Sequence, residues 1–385
     1  MKLPLIVKIL IAMVLGIGAG LILPMPVCRI FSTFNGIFSQ FLSFLIPLLI
    51  LGFVAPAIGE IGSGAGKMLV TTAIIAYVMT LASGLFSYSA GAWIFPQLIT
   101  PGSVSESVMN HASGTDPTPF FTVEMPPMFS VMSALVLAFI LGLGMAYANS
   151  TAMKSWFNEF RDIITRTISA VIIPLLPVYI FGIFLELARS GRVGPVLITF
   201  ISIIAVIFAM HVLLLLAQFA IAGLVSGKNP IKMLLTMLPA YFTALGTQSS
   251  AATIPVTLRS SIATGVRPSI AGFVIPLCAT IHMSGSTLKI VACALALMLM
   301  QGIPYSFPMF AGFIALLGIT IIAAPGVPGG AIMASLGLLS SMLGFSEADN
   351  GLMIALYIAM DSFGTACNVT GDGAIALIIN RIFSK

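Results

Sequence analysis

Four polar residues near the C-terminus are spaced to act together. In "MDSFGTACNVTGDGAIALIINR", residues 360 to 381, Asp361, Thr365, Asn368 and Asp372 fall within an arc of about 60° if the stretch is helical. The stretch reads as a membrane span, and a carboxylate deep in a bilayer is costly, so such residues face a bundle interior and line a substrate or ion path. Asp361 offers a partner to an ammonium group. Thr365 and Asn368 offer hydrogen bonds to a small zwitterion, and Asp372 is a hard oxygen donor for an alkali cation. Sodium needs carbonyl oxygens too, which unwound backbone around "ATIHMSG", residues 279 to 285, would supply. Ser249 and Ser250, beside free N–H groups at a candidate hairpin tip, suit a carboxylate. For His282 the reading taken is a satisfied hydrogen-bonding histidine, with a proton carrier as the alternative.

The elements that position these groups lie in a membrane. Of the 385 residues, 59% are hydrophobic and 7% charged, whereas a soluble globule carries about a quarter charged residues. Apolar runs of span length recur throughout, which predicts one integral membrane domain over residues 1–385 and no appended soluble module. The opening "MKLPLIVKILIAMVLGIGAG" reads as an uncleaved first span rather than a signal peptide. Cys28, Cys278, Cys293 and Cys367 lack CxxC spacing, so neither a disulfide frame nor a transition-metal site is expected. The net charge of +5 has no basic, aromatic-studded cluster behind it and does not indicate nucleic acid.

Hydropathy places spans near residues 4–24, 33–58, 68–95, 128–149, 167–187 and 194–226. With the N-terminus inside, most Lys and Arg residues fall on the cytoplasmic side, as the positive-inside rule expects. The stretch 101–125, without Lys or Arg, reads as an external loop that contains His111. Beyond Lys232 two apolar segments carry turn formers, residues 244–259 and 321–335. Each reads as a re-entrant hairpin tip, because irregular backbone at membrane depth is tolerated only in protein or against a cavity. Each precedes a span interrupted by polar residues, at 276–290 and from Met360 onward. A hairpin followed by a broken helix, twice over, is the internal repeat of a secondary transporter with a midplane site. His211 reads as structural, and Lys289 as snorkelling or paired within the bundle.

These segments resemble a family, the dicarboxylate/amino acid:cation symporters. "SSAATIPVT", "ATIHMSGST", "GVPGGAIM" and "DSFGTACNVTGD" are similar to its first hairpin tip, its Asn-Met-Asp-Gly-Thr span, its second hairpin and its last helix, in family order. The resemblance implies an all-α fold of eight transmembrane helices plus two re-entrant hairpins, assembled as a trimer. It implies scaffold elements near 1–66 and 126–195. It also implies a moving transport domain near 67–100 and 196–385, with hairpins at 231–262 and 310–345 and a last helix at 350–383. Substrate contacts are implied at Ser249, Ser250, Ser286, Val327, Asp361, Gly364, Thr365 and Asn368. Cation contacts are implied at Asp372, Asn368, Cys278, His282, Thr280, Ile321, Ile322 and Ala324, with sodium as the coupling ion and no other cofactor. The implied setting is the inner (plasma) membrane, with both termini cytoplasmic.

The departures from the family pattern bear on the cargo. Gly364 stands where carriers of acidic amino acids place an arginine, and Gln248 where some members place another. A buried second carboxylate would lack its bidentate partner, so a small neutral amino acid such as serine, threonine or alanine is expected. The family's Thr-Ser pair on the third span falls at Ile75 and Ala76, and its Asn-Met-Asp becomes His282, Met283 and Ser284, which predicts two sodium ions rather than three. The second hairpin tip is one residue short and gains Pro325. The alternatives are a proton- or sodium-coupled carrier of dicarboxylates or acidic amino acids, with Lys289 supplying charge, and, in another class, an intramembrane hydrolase. The latter is disfavoured because Asp361 and Asp372 would stand about 16 Å apart along one helix. An enzyme is not expected.

Overall fold

A computed structural model describes residues 5–62, 66–102, 117–148, 150–191, 193–322 and 329–383, and every regular element among them is helical. The first six helices are α1 (Leu5–Ile22), α2 (Met25–Gly62), α3 (Lys67–Leu98), α4 (Val131–Ala148), α5 (Thr151–Arg189) and α6 (Val193–Ser226). Among the described residues seven helical stretches are long and apolar enough to cross a membrane. The 151–167 segment joins the expected fifth span as one continuous helix. A widened π turn at Ile168–Ile172 links the two parts. Its position has a covalent cause, since Pro174 lacks an amide donor and its ring crowds the carbonyl one turn back.

The predicted external stretch is described only from residue 117, so His111 lies outside the described residues. The described end lies against α2. Arg29 Nε donates to Thr118 O at 2.9 Å and its guanidinium stacks over Phe120, while the Phe120 amide donates to Thr33 Oγ1 at 2.9 Å.

The second half of the chain is a series of shorter helices. They are α7 (Pro230–Thr247), α8 (Ser250–Ala263), α9 (Pro268–Ile281), α10 (Ser284–Gln301), α11 (Phe307–Ile322), α12 (Gly330–Leu343), α13 (Glu347–Ala359) and α14 (Asp361–Ile382). Helices α7 and α8 pack together and meet at a tight tip. Gln248 there is left-handed at φ 53°, and the Ser249 hydroxyl caps α8 by accepting from the Ala252 amide. Helices α11 and α12 also pack together. Residues 323–328, which hold Ala324, Pro325 and Val327, lie outside the described residues.

Two spans are broken where polar residues interrupt them. One break is at His282–Met283 between α9 and α10; the other is at Met360 between α13 and α14. The second break precedes Asp361, so all four polar residues of the opening stretch share one continuous helix. Their common face is turned to the first break. Helices α10 and α14 cross at glycines: a Cβ on Gly285 would lie 2.6 Å from both Cys367 Cβ and Gly364 O. Close backbone approach of this kind is what small residues permit between membrane helices.

Gly285→Ala should therefore destabilise the protein by about 1–3 kcal/mol through overpacking. Gly272→Ala on α9, with nothing within 4 Å of the added carbon, should gain up to about 1 kcal/mol of helix propensity. Thermal unfolding in detergent, followed by tryptophan fluorescence, should move in opposite directions for the two variants.

Candidate binding site

The break at His282–Met283 leaves the first amides of α10 without helical partners; side chains from α14 and α3 meet these amides, and α6 and α3 also donate to carbonyls of the α10 backbone. The Gly285 and Ser286 amides, orphan donors of the α10 N-terminus, both donate to Asn368 Oδ1 on α14, at 2.8 and 3.3 Å. His211 Nε2 on α6 donates to Gly285 O at 3.0 Å, which fixes its tautomer. From α3, Ser83 Oγ donates to Ser284 O at 2.9 Å and Ser87 Oγ to Leu288 O at 2.7 Å. The Met283 amide reaches Thr80 Oγ1 at 3.4 Å. Buried amides need such partners, so Asn368 and Thr80 support the break.

Along α14 the polar face makes three rungs. At the first, Asp361 Oδ1 pairs with Lys289 Nζ of α10 at 3.2 Å, both side chains being buried, and Asp361 Oδ2 accepts the Gly329 amide at 2.8 Å. Asp361 thus lies at the N-termini of α12 and of its own helix, where the backbone dipoles favour negative charge. Thr365 turns its hydroxyl back to Asp361 O at 3.0 Å. The second rung is Asn368, whose Nδ2 also donates to Ser286 Oγ at 3.0 Å; Ser286 Oγ in turn accepts from the Tyr357 hydroxyl at 3.4 Å. At the third, His282 Nδ1 lies 2.9 Å from Asp372 Oδ1.

The third rung is incompletely satisfied within the protein. Asp372 Oδ2, His282 Nε2 and Gln218 Oε1 are buried without a hydrogen-bond partner among the described residues. Gln218 Oε1 and the His282 ring both abut Gly371, at 2.6 and 2.7 Å from where its Cβ would be. A free carboxylate oxygen and a free amide oxygen, both buried, are donor types that suit a hard cation such as sodium.

Of the other predicted contacts, Cys278 O accepts the His282 amide at 2.9 Å. Thr280 is exposed, with its hydroxyl on Leu277 O at 2.7 Å. Ile321 is buried at the end of α11, and Ile322 packs on the cluster that contains Cys278. Ser249 and Ser250 are half-buried at the first tip. Ala324 and Val327 lie outside the described residues.

Sequence reasoning missed four contributors. Thr80, Ser83 and Ser87 bring hydroxyls from the third span although Ile75 and Ala76 do not; their three- and four-residue spacing was the available signal. Gln218 was hidden as one polar letter in an apolar run. Lys289, read as snorkelling or paired within the bundle, is paired, as buried lysines almost always are; the partner is Asp361.

The Sodium:dicarboxylate symporter family model matches residues 5–382. The serine/threonine transporter SstT of Acinetobacter baumannii strain ATCC 17978 is 28% identical over 96% of this chain and 95% of its own length. Its namesake in Acinetobacter baylyi is 25% identical over 99% and 98%, and that of Streptococcus agalactiae serotype Ia is 27% identical over 100% and 98%.

Asn368→Leu removes the acceptor of two buried amides and should cost about 2–4 kcal/mol. Thermal unfolding of the purified protein measures it, and Asn368→Asp, which keeps the acceptor oxygen, should lose less.

Proposed function

The chain belongs to the sodium:dicarboxylate symporter family, and on that premise we propose that it couples sodium entry to the uptake of a small neutral amino acid, serine or threonine first. It is an integral membrane transporter, not an enzyme. The names of the similar SstT proteins support the cargo. So does Gly364, which leaves no guanidinium on the polar face of α14.

The observation that carries the reading is the third rung, where buried Asp372 keeps one oxygen free and Gln218 Oε1, against the same Gly371 as the His282 ring, is free as well. Asp372, with His282, the Cys278 carbonyl and Asn368, holds a sodium ion in this reading. A second ion takes carbonyls between Thr280 and Ile321, Ile322 and Ala324. Asp361 receives the substrate ammonium. Thr365, Asn368 and Ser286 bind its polar groups, with Ser249, Ser250 and the Val327 carbonyl closing the site from the two hairpin tips.

The remaining architecture follows the family reading: eight spans, two re-entrant hairpins and a homotrimer in the inner membrane, with both termini cytoplasmic. Residues 1–66 and 126–195 form a scaffold, against which residues 67–100 and 196–385 move as an elevator. The helix pairs α7–α8 and α11–α12 and the two broken spans support the transport half.

Proteoliposomes test this. Labelled serine should accumulate under an inward sodium gradient and stop when choline replaces sodium. Aspartate and succinate should compete poorly; strong competition by either would favour the dicarboxylate alternative. Asp372→Asn should raise the sodium concentration for half-maximal uptake by at least about tenfold.

A further inference from the structure

The ion pair at the first rung goes beyond this reading, though it rests on it. Lys289 is fully buried. Its ammonium, with three donors, meets Asp361 Oδ1 at 3.2 Å, Met360 O at 3.4 Å and the face of Tyr357, 3.4 Å from the ring centroid. Each donor direction has a partner. The carboxylate assigned to the substrate's ammonium already holds a cation that belongs to the protein.

Gly364 belongs to the same arrangement. A Cβ there would lie 3.0 Å from Lys289 Nζ and 3.3 Å from its Cε, so the bare α-carbon is the wall against which the lysine end rests. The glycine that reads as a missing arginine is the cradle of a different cation, delivered from α10.

A zwitterion entering this site brings the same two charges as the pair it meets. If its ammonium takes Asp361, the displaced Lys289 ammonium has one new anion within the site, the substrate carboxylate. We propose that Lys289 is a specificity-determining residue: it is the counter-ion of Asp361 in the empty carrier and the partner of the substrate carboxylate in the loaded one. The zwitterion inserts into an internal ion pair, and one pair becomes two. This rung stays neutral in both states, so neither state leaves Asp361 or Lys289 unpaired at membrane depth. A cargo with only one charge cannot do this. An amine without a carboxylate strands Lys289, and a carboxylate without an amine has to take Lys289 from Asp361.

The test compares serine with serinol, which lacks the carboxylate, and glycerate, which has a hydroxyl in place of the amine. All three compete against labelled serine in proteoliposomes of the wild type, Lys289→Met and Lys289→Arg. Wild type should prefer serine over each analogue by at least about tenfold. Lys289→Met leaves Asp361 as a lone anion, so the serinol-to-serine preference should shift by at least about tenfold toward serinol, and Lys289→Arg should restore the wild-type order. An unchanged ratio in Lys289→Met would overturn the proposal and leave the serine reading standing. If Lys289→Met does not survive purification, the wild type decides, and competition by serinol or glycerate equal to serine overturns it. Absence of serine uptake by the wild type overturns the underlying reading, and this proposal with it.

Discussion

A helix interrupted inside hydrocarbon exposes amides and carbonyls where no water can reach them, and the rest of this structure answers that constraint. The break at His282–Met283 survives because α14 and α3 send polar side chains to its free amides. Asn368 is the central member, since one carboxamide oxygen takes two amides of α10 while its nitrogen reaches the Ser286 hydroxyl. The opened backbone brings α10 and α14 together, and with them every charged group of the site.

Charge is handled by the same logic of complete pairing, with one exception. Asp361 has a cation on one oxygen and a helix N-terminus on the other. Asp372 has an imidazole on one oxygen and nothing described on the other. The first carboxylate is closed and opens only to a ligand that can replace what it holds. The second is open to a cation directly. Two carboxylates on one helix are thus given different surroundings by their neighbours.

Much of this was legible in the sequence because membrane burial makes polar letters conspicuous. The stripe of Asp361, Thr365, Asn368 and Asp372, the interruption at His282 and the serine tip at Ser249 all announce themselves against an apolar background. Direction and partnership were less legible. Lys289 could be placed in a span but not given Asp361 as a partner, because the pairing crosses 72 residues and depends on both breaks. The third-span hydroxyls were sought at the family's positions, Ile75 and Ala76, while the helix presents them one to three turns later, at Thr80, Ser83 and Ser87. Gly364 was read by what it lacks. Its neighbour was needed to show what it admits.

That last feature constrains how such a carrier changes over time. A Cβ at position 364 would press on the end of Lys289 from 3.0 Å, so a larger side chain there requires the lysine end to shift. The two positions behave as one compound character, glycine with lysine or a larger residue with something shorter. A lineage moving between these states passes through an intermediate with either crowded or stranded charge. A shift of cargo along this route would therefore come as a paired substitution, written on two helices at once.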